Sequence, residues 1–178
     1  GRELFALNLA KNGNNGKLIL CEGYMDVIAL HRYGFTNAIA GLGTALTPEQ
    51  VTLISRYAEE VYLCYDSDEA GQKAVKAALA LFSKTGVKVK VIMLSGGKDP
   101  DEIIKKYGRE KMQQILNSAV GDLDFELTRE KQGYNLSSSD GKVAYLGRAV
   151  EILSATYNPI QWDVYASKLS DELGVDKK

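Results

Sequence analysis

Three short runs of this sequence concentrate carboxylates: Glu22-Gly23-Tyr24-Met25-Asp26, Asp66-Ser67-Asp68-Glu69-Ala70-Gly71 and Gly97-Lys98-Asp99-Pro100-Asp101-Glu102. Residues two apart on an extended segment point the same way, so Asp66 and Asp68 can reach one site together, as can Asp99 and Asp101. Asp26 lies one helical turn beyond Glu22 and can face the same crevice. Acids gathered in this way repel one another and would raise their own pKa values or weaken the fold. A hard divalent cation, Mg2+ or Mn2+, removes the conflict, since it takes oxygen ligands from carboxylates and substrate phosphates. A set of this size offers ligands for two or more ions. Paired ions serve phosphoryl transfer, one activating the attacking oxygen and the other stabilising the leaving one. Gly23 and Gly71 remove side chains beside these acids and let a bulky ligand approach the backbone.

An Asp after a strand is also a common N-cap for the next helix, and Asp68 and Asp99 each fit that role alone. Capping explains neither Glu22, which precedes a glycine, nor the paired spacing. If the acids share a site, neutralising Asp68 is expected to raise the melting temperature in chelator and to weaken Mn2+ binding.

Several elements must carry these runs to one place. Leu18-Ile19-Leu20-Cys21 is a continuous apolar run, as expected of a strand buried on both faces. Residues 37–40, 61–65 and 87–94 read as further strands, the last with alternating lysines that suit a sheet edge. Helices are expected over 24–33 and from Thr47-Pro48, where Gln50 completes a capping box. Another is expected over about 69–85, closed by Gly86, and another from Pro100 through Tyr107. Residues 1–11 read as a short helix, broken by Asn12-Gly13-Asn14-Asn15-Gly16. Alternating strand and helix implies an α/β fold, a parallel sheet with right-handed crossovers and helices on both faces. Ligands of such sheets bind beyond the carboxyl ends of the strands, which is where the acids fall. Past Val120 only helices are expected, over 122–132, 142–157 and 161–173. The chain thus divides into a metal-binding α/β domain over 1–120 and a small all-helical subdomain over 121–178. The latter is small enough that it is expected to pack on the former.

Composition narrows the class. The 178 residues are 45% hydrophobic and 25% charged, a globular profile that excludes disordered and collagen-like chains. No apolar run approaches the ~20 residues needed to span a bilayer, and no signal peptide opens the chain, so no membrane partner and a cytoplasmic location are expected. Cys21 and Cys64 sit in apolar runs and read as buried free thiols of a reducing compartment. Two cysteines and one histidine are too few for a four-ligand structural zinc site. The net charge of −1 argues, at first sight, against a nucleic-acid partner. Eight acids lie in the three runs, however: Glu22, Asp26, Asp66, Asp68, Glu69, Asp99, Asp101 and Glu102. The other 15 face 22 Lys and Arg, so a mildly basic body surrounds an acidic site. His31 among Met25, Ile28 and Tyr33 reads as partly buried, and Trp162, Tyr165 and Leu169 as a core stripe. Lys73, Lys76 and Lys84 read as a solvated helix face, and nothing near Tyr134, Tyr145, Tyr157 or Tyr165 supports a nucleophilic role.

The three runs, together with Gly41-Leu42-Gly43-Thr44-Ala45-Leu46-Thr47, resemble the Toprim domain in the form found in bacterial DnaG-type primases. The likeness extends over roughly residues 2–116, while the helical tail carries no specific motif. It implies that Glu22 is the general base or organiser of the metal site, and that Asp66 and Asp68 are the Asp-x-Asp metal ligands. Asp26, Asp99 and Asp101 correspond to further acids of the cluster, and Lys98, beside it, to a candidate phosphate contact. The implied activity is that of a nucleotidyltransferase, a DNA-directed RNA polymerase making short primers on single-stranded DNA from ribonucleoside triphosphates. Primases of this kind also carry a zinc-binding module, a basic template-binding half and a helicase-binding domain. The resemblance therefore implies a piece of a longer protein, consistent with Gly1 in place of an initiator Met, and one poorly active alone. It also implies that the replicative helicase is met through a domain absent here. Two other readings are a Toprim nuclease or maturase acting on RNA, and a non-catalytic Mg2+-binding receiver-like module.

Overall fold

Strand β1 (Lys17–Cys21) carries the unbroken apolar run, and Leu18, Ile19, Leu20 and Cys21 are all buried. Successive strand residues point to opposite sides, so only a strand covered on both faces buries four in a row. The computed structural model describes residues 3–43, 45–155 and 158–175. In it β1 lies inside a four-stranded sheet, in the order β2 (Ala38–Ala40), β1, β3 (Glu60–Cys64), β4 (Lys88–Val91), and all three pairings are parallel. β4 is an edge strand, as its lysines indicated; Lys88 pairs with Glu60 of β3 at 3.6 Å.

Helices α2 (Tyr24–Arg32) and α5 (Pro100–Asn117) cover one face, where Val27, Leu30, Ile103, Ile104 and Met112 pack with Ile19, Cys21, Ala38, Ala40 and Cys64. The alternate residues Leu18, Leu20, Ile39, Val61 and Leu63 point the other way and are equally buried. Helices α3 (Pro48–Ile54) and α4 (Glu69–Phe82) supply Val51, Ile54, Val75, Ala78 and Phe82 to the core. The capping box of α3 forms as its sequence specifies: Thr47 Oγ1 accepts the Gln50 N–H and Gln50 Oε1 accepts the Thr47 N–H.

Four local expectations are corrected. The N-terminal helix shrinks to α1 (Leu7–Ala10), because the Phe5 backbone pairs antiparallel with Ala40 and so leaves the helical path. α4 ends at Phe82 with the Ser83 N–H bonded to the Leu79 carbonyl, and Gly86 does not adopt the left-handed conformation of a helix-closing glycine. β4 stops at Val91, whose backbone is also bridged antiparallel to Val120. α5 continues past Tyr107 but is broken at Gly108, whose φ of 79° and ψ of −176° suit glycine. Arg2, Thr44 and Tyr157, which earlier expectations include, lie outside the described residues.

The chain forms two compact units, one up to Asp122 and one from Leu123. The second consists of α6 (Asp122–Lys131), α7 (Ser139–Ser154) and α8 (Pro159–Leu173) around Leu127, Tyr145, Ala149, Leu153, Leu169 and Leu173. Trp162 and Tyr165 pack on this core, as their spacing indicated. Among the described residues no helix is long and apolar enough to cross a membrane.

At Gly71 the backbone of α4 comes close to the loop after β3. A Cβ there would lie 2.1 Å from the Asp66 carbonyl oxygen, whereas one at Gly86 meets nothing within 4 Å. Gly71→Ala is therefore expected to destabilise by roughly 1–3 kcal/mol, the range of overpacking changes, and Gly86→Ala by less than about 0.5 kcal/mol. Urea denaturation of the two variants checks this; equal midpoints would contradict it.

Candidate metal centre

The sheet register decides where the acids emerge. Cys21 lies opposite both Ala40 and Cys64, so the strands end in line and Glu22, Gly41 and Tyr65 leave the sheet side by side. Asp66 follows Tyr65. The loop before α5 is fastened across the same edge: the Ser67 N–H and hydroxyl both donate to the Lys98 carbonyl oxygen, at 2.9 and 3.1 Å. The Lys98 N–H donates to Glu102 Oε2 at 2.8 Å, which closes the loop onto the first turn of α5. A cleft of about 450 Å³ opens beside this edge, lined by Glu22, Gly41, Gly43, Leu46, Tyr65 and Ala77.

Each acid has a different environment. Asp26 is buried at the start of α2, where Oδ2 accepts the Gly23 N–H and Oδ1 the Asp101 N–H, both at 3.3 Å. It thereby ties the first turns of α2 and α5 together. Burial pushes its carboxyl up to about 6 against the pull of the Asp101 N–H, and the charges of Asp99 and Asp66 push the same way. Asp66 is also raised, first by burial and then by the charges of Glu22 and Asp99, with Lys98 opposing. Asp68 is lowered: its Oδ1 accepts the Gly71 N–H at 2.9 Å, capping α4, and Lys98 Nζ stands 3.6 Å from its Oδ2. Asp99 caps α5 by accepting the Glu102 N–H at 2.7 Å. The Asp101 carboxylate pairs with Lys105 at 2.6 Å. Glu22 is exposed at the end of β1.

Asp66 thus lies within electrostatic reach of Glu22, Asp26, Asp68 and Asp99, Asp26 also feels Asp99, and Asp101 joins them through its N–H. Capping and convergence prove compatible, since each capping aspartate uses one oxygen on its helix and keeps a second. Among the described residues, no three His, Cys, Asp or Glu side chains stand close enough to share one ion as oriented here. The donor chemistry nevertheless fits a hard cation: the oxygens are all carboxylate, and burial, followed by the charges of neighbouring acids, leaves Asp26 and Asp66 raised. That distribution corrects the expectation for Asp68, whose carboxylate is stabilised where it stands. The conflict resides on Asp26 and Asp66.

Ser67, which fastens the two acidic loops together, had no sequence signal, because a hydrogen bond across 31 residues leaves no periodicity. Cys21 and Cys64 are buried free thiols, as expected; the Cys21 thiol is pushed well up by its hydrogen bond with Cys64 and by burial. His31 is partly buried, its Nε2 2.9 Å from the Ala38 carbonyl oxygen.

Comparison with known proteins bears on the fold and the family. Residues 19–104 match the Toprim-like family, and residues 123–177 match the family described as the DnaB-helicase binding domain of primase. A DNA primase of Clostridium acetobutylicum is 39% identical over 176 residues, covering 98% of this chain and 29% of the relative. A DnaG primase catalytic domain bound to single-stranded DNA superposes with a TM-score of 0.73 at 29% identity, covering 98% of this chain and 57% of that one. The RNA polymerase domain of Mycobacterium tuberculosis primase, in complex with double-stranded DNA, gives a TM-score of 0.84 at 28% identity, over 97% and 57% of the two chains. The chain therefore spans less than a third of the curated relative's length. One expectation is revised: the region matched to helicase binding lies within this chain, in its helical tail. The tail gave no motif because a small bundle is specified by apolar stripes that any bundle shares.

The acids titrate with opposite signs. A raised folded-state pKa, as at Asp66, favours folding only while the group is protonated, and that contribution is lost as pH rises through the carboxylate range. In metal-free buffer Asp66→Asn is therefore expected to melt above the parent at pH 7, by about 2–4 °C for each 1 kcal/mol relieved, with the gap closing toward pH 4. Asp68→Asn, which loses a favourable charge, is expected to melt at or below the parent. Thermal melts followed by circular dichroism check both signs.

Proposed function

The chain belongs to the bacterial DnaG-type primase family, and from that premise we propose that it forms part of the catalytic core of a DNA primase. Its reaction is nucleotidyl transfer: a primer 3′-hydroxyl attacks the α-phosphate of a ribonucleoside triphosphate opposite single-stranded DNA, and pyrophosphate leaves. The carrying observation is the set of strand-end acids at one sheet edge, with Asp66 and Asp26 raised by burial and by their neighbours' charges. Residues 1–120 act as the metal-binding domain and residues 121–178 as a helical subdomain. A cytoplasmic setting at the replication fork follows.

Glu22, Asp66 and Asp68 would hold Mg2+ or Mn2+, with Asp26, Asp99 and Asp101 completing the acidic set. When bound, the ions supply the positive charge that favours ionisation of the attacking hydroxyl and stabilises the departing pyrophosphate. Glu22, exposed and free of any helix cap, orients the site or takes the hydroxyl proton. Asp26 holds α2 and α5 in register beneath the acids through its two N–H contacts. The match of residues 123–177 to a helicase-binding family supports the helical subdomain as a docking region for the replicative helicase.

Calorimetric titration tests this reading. The chain is expected to bind Mn2+, to bind a ribonucleoside triphosphate only with Mn2+ present, and to lose at least about tenfold in Mn2+ affinity on Asp66→Ala, equivalent to about 1.4 kcal/mol. Metal-dependent RNA cleavage without nucleotide binding would favour a nuclease instead.

A further inference from the structure

Lys98 is anchored to the very loop whose acids it faces. Its carbonyl oxygen takes both Ser67 donors and its N–H goes to Glu102, so its backbone is held at three points. The preceding Gly97 lets the loop press onto α5, since a Cβ there would lie 2.7 Å from Ile103 Cγ1. From this anchor the ammonium stands 3.6 Å from Asp68 Oδ2 and 4.0 Å from Asp66 Oδ2. The lysine side chain is 60% exposed, and an exposed ion pair contributes little to stability. A rigid anchor is not needed for so weak a contact, but it is needed to keep a charge at a fixed place.

Resting on the reading that Asp66 and Asp68 hold the divalent ion, we propose that Lys98 is a tethered counter-cation that occupies this carboxylate pair and that an incoming ion must displace. A divalent ion on the same two oxygens would stand within a few ångströms of the ammonium, and the two positive charges repel. Lys98 therefore sets the concentration at which the site loads: it relieves the acids when metal is scarce and moves aside when metal binds. It is a positioning residue, acting on the ligands rather than on substrate.

Lys98→Met and Lys98→Arg, made in this 178-residue chain, test the proposal through Mn2+ affinity, read from the electron paramagnetic resonance signal of free Mn2+, and through melting temperature in metal-free buffer. Lys98→Met is expected to bind Mn2+ roughly three- to tenfold more tightly, the range for removing one partly screened charge at this distance, with little change in melting temperature without metal. Lys98→Arg is expected to keep the parent's behaviour in both. A merely structural lysine would give no gain in metal affinity. Mn2+ binding by the parent that is unchanged or weaker in Lys98→Met overturns this inference alone. Failure of the parent itself to bind Mn2+ overturns the metal-site reading and this inference with it.

Discussion

Carboxylates brought to one edge of a parallel sheet repel one another, and much of the surrounding structure serves to contain that repulsion. Asp68 and Asp99 are held by the first turns of α4 and α5, where N–H groups and the positive end of the helix favour negative charge. Asp26 takes N–H donors from α2 and α5 together. Lys98 and Lys105 add positive charge beside Asp68, Asp66 and Asp101. Relief is incomplete: Asp26 and Asp66 stay raised. On the proposed reading, that residual deficit is what a divalent cation at this edge would relieve, and it links the fold to the chemistry proposed for it.

The scaffold holds the acids against that cost because it is built from both sides. β1 cannot slip its register without carrying the flanking Lys17 or Glu22 into the buried stretch. The alignment of Cys21 with Cys64 therefore fixes Glu22 relative to Asp66. Gly71 admits the close contact with the Asp66 carbonyl that sets the loop after β3. The loop before α5 is then pinned to it by Ser67, so that two sequence-distant acidic runs behave as one body.

How much of this was legible in the sequence depended on the range of the interaction. The apolar run 18–21 announced a doubly covered strand, and Thr47-Pro48-Glu49-Gln50 announced its own cap, since both signals are local. The acids were legible as a set because parallel topology brings every strand's carboxyl end to the same side. Their individual charge states were not: whether Asp66 or Asp68 bears the conflict depends on the Gly71 N–H and on Lys98, 30 residues away in the chain. Phe5 reads as helical by local pattern and pairs with Ala40 instead, a long-range strand contact that local propensity does not encode. The helical tail, specified by its apolar stripe alone, disclosed its fold but not its relationship.

The most direct test of the central claim is Mn2+-induced line broadening in the amide NMR spectrum of the whole chain at substoichiometric ion. A shared divalent site predicts simultaneous, selective broadening of amides around 22–26, 66–71 and 97–102, with the three segments responding at the same Mn2+ concentration. Broadening confined to one of these segments, or centred on acids elsewhere such as Asp122 to Glu130, would contradict the account.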